Sequence, residues 1–160
     1  MIGADRIRVT IVVPMPPAEA FEVFTRDVDL WWRRGPRFRF SRLGGAVLRF
    51  EEVPERRLVS DPGDGGPPFV VGRVIAWERG ARLAFEWRLP NFSPDEVTEV
   101  EVLFEPWGEG TRLTLEHRGL GALRPDHPAR HGQQGGAFTS AMALWWGEAV
   151  SGLRAFAAGG

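Results

Sequence analysis

Val97-Thr-Glu-Val-Glu-Val-Leu-Phe104, then Pro106-Trp-Gly-Glu-Gly110, Thr111-Arg-Leu-Thr-Leu-Glu-His-Arg-Gly-Leu120 and a tryptophan-rich run to Phe156 decide the fold. Both arms alternate apolar with polar residues, the period of a strand with one buried face. The glycine-containing turn between them makes them a hairpin. From about Gly135 to Ala157 the period changes. Phe138, Ala141, Met142, Trp145, Ala149, Leu153 and Phe156 form one stripe at helical spacing. A hairpin with one apolar face, followed by a long amphipathic helix, predicts a curved sheet gripping that helix, and the cleft between them suits a small molecule.

Upstream, Ile7-Arg-Val-Thr-Ile-Val-Val13 predicts a strand with Ile7, Val9, Ile11 and Val13 inward, ended by Pro14-Met-Pro-Pro17. Ala18–Phe24 predicts a short helix opened by prolines, with Phe21 and Phe24 on one face. Asp27–Trp32 predicts a second helical turn with Asp27 as its cap. Six strands follow: Phe38–Leu43, Ala46–Val53, Phe69–Glu78, Arg82–Leu89, Val97–Glu105 and Thr111–His117. Gly44-Gly45 and Glu78-Arg-Gly-Ala81 read as tight turns, and Asp61-Pro-Gly-Asp-Gly-Gly-Pro-Pro68 as an exposed loop, a hairpin tip rather than a lid. The order strand, helices, six strands, helix predicts one antiparallel α+β domain over residues 1–160.

A chain of 160 residues, 43% hydrophobic, suffices for one such core. Its formal net charge of −1 argues against a nucleic-acid partner. Neither a membrane-spanning run nor a signal peptide is visible, so a cytoplasmic protein is expected. The chain has no Cys, Lys or Tyr, which removes disulfides, thiol chemistry, Schiff bases and phenolic acids. All 20 basic residues are Arg; with abundant Ala, Gly and Pro this is the composition of a GC-rich genome. No Ser-His-Asp spacing, phosphate loop or paired-carboxylate motif stands out, and Gly108 and Gly110 belong to the hairpin turn.

Alternation assigns the inner face. Val100, Val102, Phe104, Leu113, Leu115 and His117 point inward, with His117 level with Val100 or near it. Leu83, Phe85, Trp87 and Leu89 continue that face, as do Phe38, Phe40, Leu48 and Phe50. Glu86, Glu99, Glu101, Glu105, Arg112 and Glu116 fall outside. His117 is the one titratable group placed within, and an inward histidine is more often a neutral, hydrogen-bonded core residue than a base. His127 and His131 have the spacing of helical metal ligands, but Pro128 breaks that helix and a site needs three or four ligands, so no metal is expected.

In Trp31-Trp32-Arg33-Arg34 an arginine could meet an anionic head group at a pocket mouth; the reading preferred is solvated arginines with Trp31 or Trp32 at the rim. Trp107 is expected to cover a strand end. Of the adjacent Trp145 and Trp146 only one can face the sheet; the stripe selects Trp145 and leaves Trp146 for a secondary contact, including a homodimer. The expected ligand-binding residues are Trp32, Phe40, Phe50, Phe85, Trp87, Val100, Val102, Leu115, His117, Met142 and Trp145, with no catalytic residue, metal or cofactor assigned.

Several strings resemble the START/Bet-v-type helix-grip superfamily, often called SRPBCC. They are Val12-Val-Pro-Met-Pro-Pro-Ala-Glu-Ala-Phe-Glu-Val-Phe24, Asp29-Leu-Trp-Trp32 and Gly72-Arg-Val-Ile-Ala-Trp-Glu-Arg-Gly-Ala-Arg-Leu-Ala-Phe-Glu-Trp87, continued by Val97–Phe104, Gly110–Leu120 and the last helix. Within that superfamily the chain looks most like the bacterial branch related to the C-terminal domain of Hsp90 ATPase activators. The resemblance covers essentially the whole chain. It implies a seven-stranded antiparallel sheet wrapped around the C-terminal helix, with two short helices closing one side and a cavity for an apolar or amphipathic molecule. Three functions stay open. The first is a non-catalytic carrier or sensor. The second is an enzyme of the polyketide cyclase/aromatase type using His117 and a pocket carboxylate. The third is a protein-interaction role, such as stimulating a chaperone ATPase. The carrier leads, because the aromatic lining exceeds the polar inventory.

Overall fold

The computed structural model describes residues 6–34, 37–39, 46–52, 56–62 and 65–159. Strand β1 (Arg6–Val13) leads into helices α1 (Pro17–Arg26) and α2 (Val28–Trp31). Seven strands follow: β2 (Val47–Phe50), β3 (Leu58–Asp61), β4 (Phe69–Gly72), β5 (Val74–Glu78), β6 (Arg82–Trp87), β7 (Thr98–Trp107) and β8 (Gly110–Arg118). Two 3-10 turns, Leu120–Ala122 and Pro128–Arg130, connect β8 to α3 (Gly135–Ala157). The strands form an antiparallel five-stranded sheet, β1-β8-β7-β6-β5, and a three-stranded sheet, β2-β3-β4.

Two sheets therefore replace the single seven-stranded sheet expected from the sequence. The missed strand is β3: Leu58, Val59 and Ser60 are all buried, so the segment carries no period-2 signal. The expected strand Phe69–Glu78 is broken between Gly72 and Arg73, where β4 leaves for the second sheet and β5 stays in the first. Strand β6 and the residue after it bond to both sides of the break: Glu86 N–H donates to Arg73 O and Arg88 N–H to Val71 O, each at 2.9 Å. Gly72 makes that crossing possible, because a Cβ there would lie 1.5 Å from the Glu86 carbonyl oxygen. Gly72→Ala is accordingly expected to force β4 off β6 and to cost about 3 kcal/mol in urea unfolding; an unchanged midpoint would refute this junction. Phe38 and Arg39 lie outside any strand, and the rest of the strand expected at 38–43, Phe40 included, falls outside the described residues, as does the Gly44-Gly45 turn. The loop after β3 is exposed at residues 65–68.

The other local readings hold with small shifts. Helix α1 starts at Pro17 and buries Ala20, Phe21, Val23 and Phe24. Asp27 occupies the N-cap position of α2, as expected, but its side chain makes no capping hydrogen bond; its carboxylate pairs with Arg26 at 3.3 Å. The pairing of β7 with β8 sets Val100 opposite His117 and Glu101 opposite Glu116. One face is thus apolar and the other carries an Arg–Glu lattice in which Glu116 accepts from Arg6, Arg8 and Arg118. Burial pushes the Glu116 carboxylate up, but these arginines outweigh it and hold it below the ordinary range. Helix α3 lies across the inner face, near enough to α2 that a Cβ on Gly152 would come within 2.4 Å of the Trp31 carbonyl oxygen. Among the described residues no helix is long and apolar enough to cross a membrane.

Candidate functional site

The inner face of the five-stranded sheet supplies the floor of the site. Phe85 and Trp87 come from β6, Val100 and Val102 from β7, and Leu115 and His117 from β8, all buried. Trp145 and Trp146 descend from α3, Phe50 comes from β2, and Trp31 and Trp32 close the side at the end of α2. Between them lies an apolar void of only about 10 Å³, bordered by Phe24, Trp31, Trp32, Phe50, Phe85, Trp87 and Trp146. A water molecule needs roughly that volume and several polar partners, so the void stays dry. Side chains fill the cleft.

The void borders a chain of buried hydrogen bonds with one fixed polarity. Trp146 Nε1–H donates to His117 Nδ1 at 2.9 Å. An indole nitrogen only donates, so Nδ1 carries no proton and the neutral imidazole holds its proton on Nε2. That Nε2–H meets Thr98 Oγ1 at 2.7 Å, and the Thr98 hydroxyl donates to Trp87 O at 2.8 Å. Burial pushes the His117 pKa down to about 3. His117 is a neutral ring with both nitrogens engaged.

Three further indoles are also anchored. Trp31 Nε1–H donates to Phe24 O at 3.2 Å, Trp32 Nε1–H to Phe38 O at 2.7 Å and Trp145 Nε1–H to Arg37 O at 3.0 Å. The Trp32 ring sits among Trp31, Trp87, Trp145 and Trp146, with centroids 5.5, 6.0, 5.9 and 5.8 Å away. Arg39, 2% exposed, holds the backbone on which Trp32 sits: its guanidinium donates to the carbonyls of Asp29, Trp32, Arg33 and Ala46 and pairs with the Asp29 carboxylate.

Of the residues expected to bind a ligand, Trp32, Phe50, Phe85 and Trp87 border the void. Val100, Val102, Leu115 and His117 lie buried on the inner face, Met142 and Trp145 are half-buried on α3, and Phe40 falls outside the described residues. The choice between the adjacent tryptophans is reversed. Trp146, at 1% exposure, faces the sheet, while Trp145 turns aside to stack on Phe38 at 5.3 Å. The contact role expected for Trp146 is therefore excluded, and with it the ground for a homodimer. Trp31 and Trp32 are both buried rather than at a rim. Phe24, Trp31 and Trp146 were not among the expected lining residues, although the apolar face of α1 was the available signal for Phe24.

Away from the void, His127 is buried and its Nδ1 accepts from Ala129 N–H at 3.0 Å, leaving Nε2 without a hydrogen bond, 3.9 Å from Glu96. Burial lowers the His127 pKa. Glu96 is held at about 2, first by the Arg124 backbone N–H and then by that of Ser93, against the opposing effect of burial. His131 is exposed, and no group of three His, Cys, Asp or Glu able to hold a metal occurs among the described residues. A larger open depression of about 390 Å³ lies on the outer sheet face between Arg8, Glu101, Leu103 and Arg112, where Arg8 and Arg112 are paired with glutamates of its own wall. The inner cleft is the better candidate, because its lining is apolar and buried.

The sequence model of the family described as "Activator of Hsp90 ATPase homolog 1-like protein" matches residues 14–156. An HSP90 activator from Plasmodium falciparum superposes with a TM-score of 0.64 at 14% identity, over 95% of each chain. CalU16 from Micromonospora echinospora gives 0.58 at 17% identity, over 96% of this chain and 76% of its own. Both likenesses are of fold alone. The anthrahydroquino-gamma-pyrone synthase Txn09 is 31% identical over 90% of each chain, with a TM-score of 0.52. A search of curated proteins returns no match.

Proposed function

The chain belongs to the Activator of Hsp90 ATPase homolog 1-like family, and on that basis we propose that it binds a flat hydrophobic or amphipathic small molecule between its sheet and α3, as a non-catalytic carrier or sensor in the cytoplasm. The observation that carries this reading is the aromatic box beside the void, in which Trp87, Trp145 and Trp146 surround the Trp32 ring. Such walls favour a planar guest through face and edge contacts. The guest molecule would engage the inward residues named above, with Trp146 added to them.

A carrier suits the state of His117. A general base needs a free nitrogen and a pKa near the working pH. His117 has neither: Trp146 and Thr98 occupy both nitrogens and its pKa is about 3. The 31% identity to Txn09 supports a second reading, an enzyme acting on an aromatic polyketide, with its chemistry then supplied by groups other than His117.

Native mass spectrometry of the gently purified protein separates these readings. The carrier is expected to retain one apolar compound per chain, recovered at the same mass after prolonged incubation. A compound whose mass changes on incubation supports the enzyme. Protein that remains empty, also after exposure to a cell extract, overturns the binding reading.

A further inference from the structure

We propose that the Trp32 indole stands in the ligand's place in the free protein, and that a flat fused-ring aromatic with a hydrogen-bond donor on its edge binds by displacing it; this rests on the binding reading above. The void beside Trp32 is about 10 Å³, far below the volume of any fused-ring molecule. Something in the lining must therefore move. Trp87 lies on β6, which is paired with β5 and β7, and Trp146 lies on the 23-residue α3 with its indole committed to His117. Trp32 differs. It follows a helix of four residues, and its indole N–H is held by the carbonyl of Phe38, which lies outside any strand or helix.

The box around Trp32 also describes the guest it takes. Trp87, Trp145 and Trp146 enclose an indole, a planar bicyclic ring, at centroid distances of 6.0, 5.9 and 5.8 Å. When the indole leaves, Phe38 O loses the Trp32 Nε1–H, now 2.7 Å away. A buried carbonyl left bare is costly, so a guest with a donor on its edge is preferred to one without. Arg39 binds the carbonyls of Trp32 and Arg33 and keeps that backbone in place, so the motion assigned here is a swing of the side chain.

The test uses the whole protein labelled with 5-fluorotryptophan, with 2-naphthol as the probe and the Trp32 signal identified by its loss in Trp32→Phe. At saturation the Trp32 fluorine resonance is expected to move to the solvent-exposed position while that of Trp146 stays in the interior range. Trp32→Ala is expected to bind 2-naphthol at least about tenfold tighter than wild type, because no side chain competes for the box. Naphthalene, which lacks the donor, is expected to bind wild type about tenfold more weakly, the factor for one net hydrogen bond. An unmoved Trp32 resonance at saturation overturns the proposal, even where Trp32→Ala fails to fold. Affinities of wild type and Trp32→Ala within twofold do the same. Absence of 2-naphthol binding to either form also sinks it; a compound retained in native mass spectrometry would then leave the binding reading standing without the displaced indole.

Discussion

Trp146→Ala is expected to lower stability by about 3–5 kcal/mol, the range for truncating a large buried aromatic. Trp146 is 1% exposed and its ring lies 5.0, 5.1 and 5.8 Å from those of Trp145, Trp87 and Trp32. Alanine removes these contacts and leaves His117 Nδ1 as a buried acceptor without its donor. Urea unfolding with an unchanged slope measures the loss. Trp145→Ala is the control. That residue is half-buried and its indole N–H serves an exposed carbonyl, so about 1–2 kcal/mol is expected. Equal losses at the two positions would contradict the orientation of α3.

A second large effect is expected in the pH dependence of stability. The His117 pKa is about 3 in the folded protein against 6.5 for the ordinary residue. Between those values the unfolded chain binds the proton and the folded chain does not, so stability rises with pH. The contribution is complete above about pH 6.5 and is lost as pH falls through the window toward 3. The slope approaches 1.4 kcal/mol per pH unit, so the step from pH 7 to pH 5 is expected to remove about 2 kcal/mol through His117 alone. His127, also lowered by burial, adds a loss of the same sign. Comparison with His117→Gln isolates the first: the amide oxygen can accept from Trp146 and the amide nitrogen can donate to Thr98, but the side chain does not titrate. A variant with the same pH slope as wild type would show that His117 does not remain neutral in the fold.

Much of this architecture is legible in the chain. Alternation in Val97–Phe104 and Thr111–His117 gives the β7–β8 hairpin, the inward direction of His117 and its level opposite Val100, all as observed. The helical stripe gives α3 its limits at Gly135 and Ala157. The prolines before Ala18 open α1. Each of these is a repeat read over a few neighbouring residues, and local sterics and burial suffice to impose it.

The misreadings share a cause. Strand β3 has no alternation because both of its faces are covered, and the break at Gly72 depends on the Glu86 carbonyl, fourteen positions along the chain. Trp145 and Trp146 differ by about 100° around the helix axis, and an apolar stripe that wide accommodates either. The register of β8 settles the matter by placing an acceptor nitrogen, His117 Nδ1, where the Trp146 indole N–H meets it. By itself, then, the sequence determined β1, the helices, the strands β6 to β8, the two faces of the main sheet and the family. The tertiary structure alone decided the rotation of α3, the division into two sheets and the filling of the cleft by side chains. Periodicity is set among neighbours in the chain, whereas these three depend on which distant groups compete for one volume and one hydrogen bond.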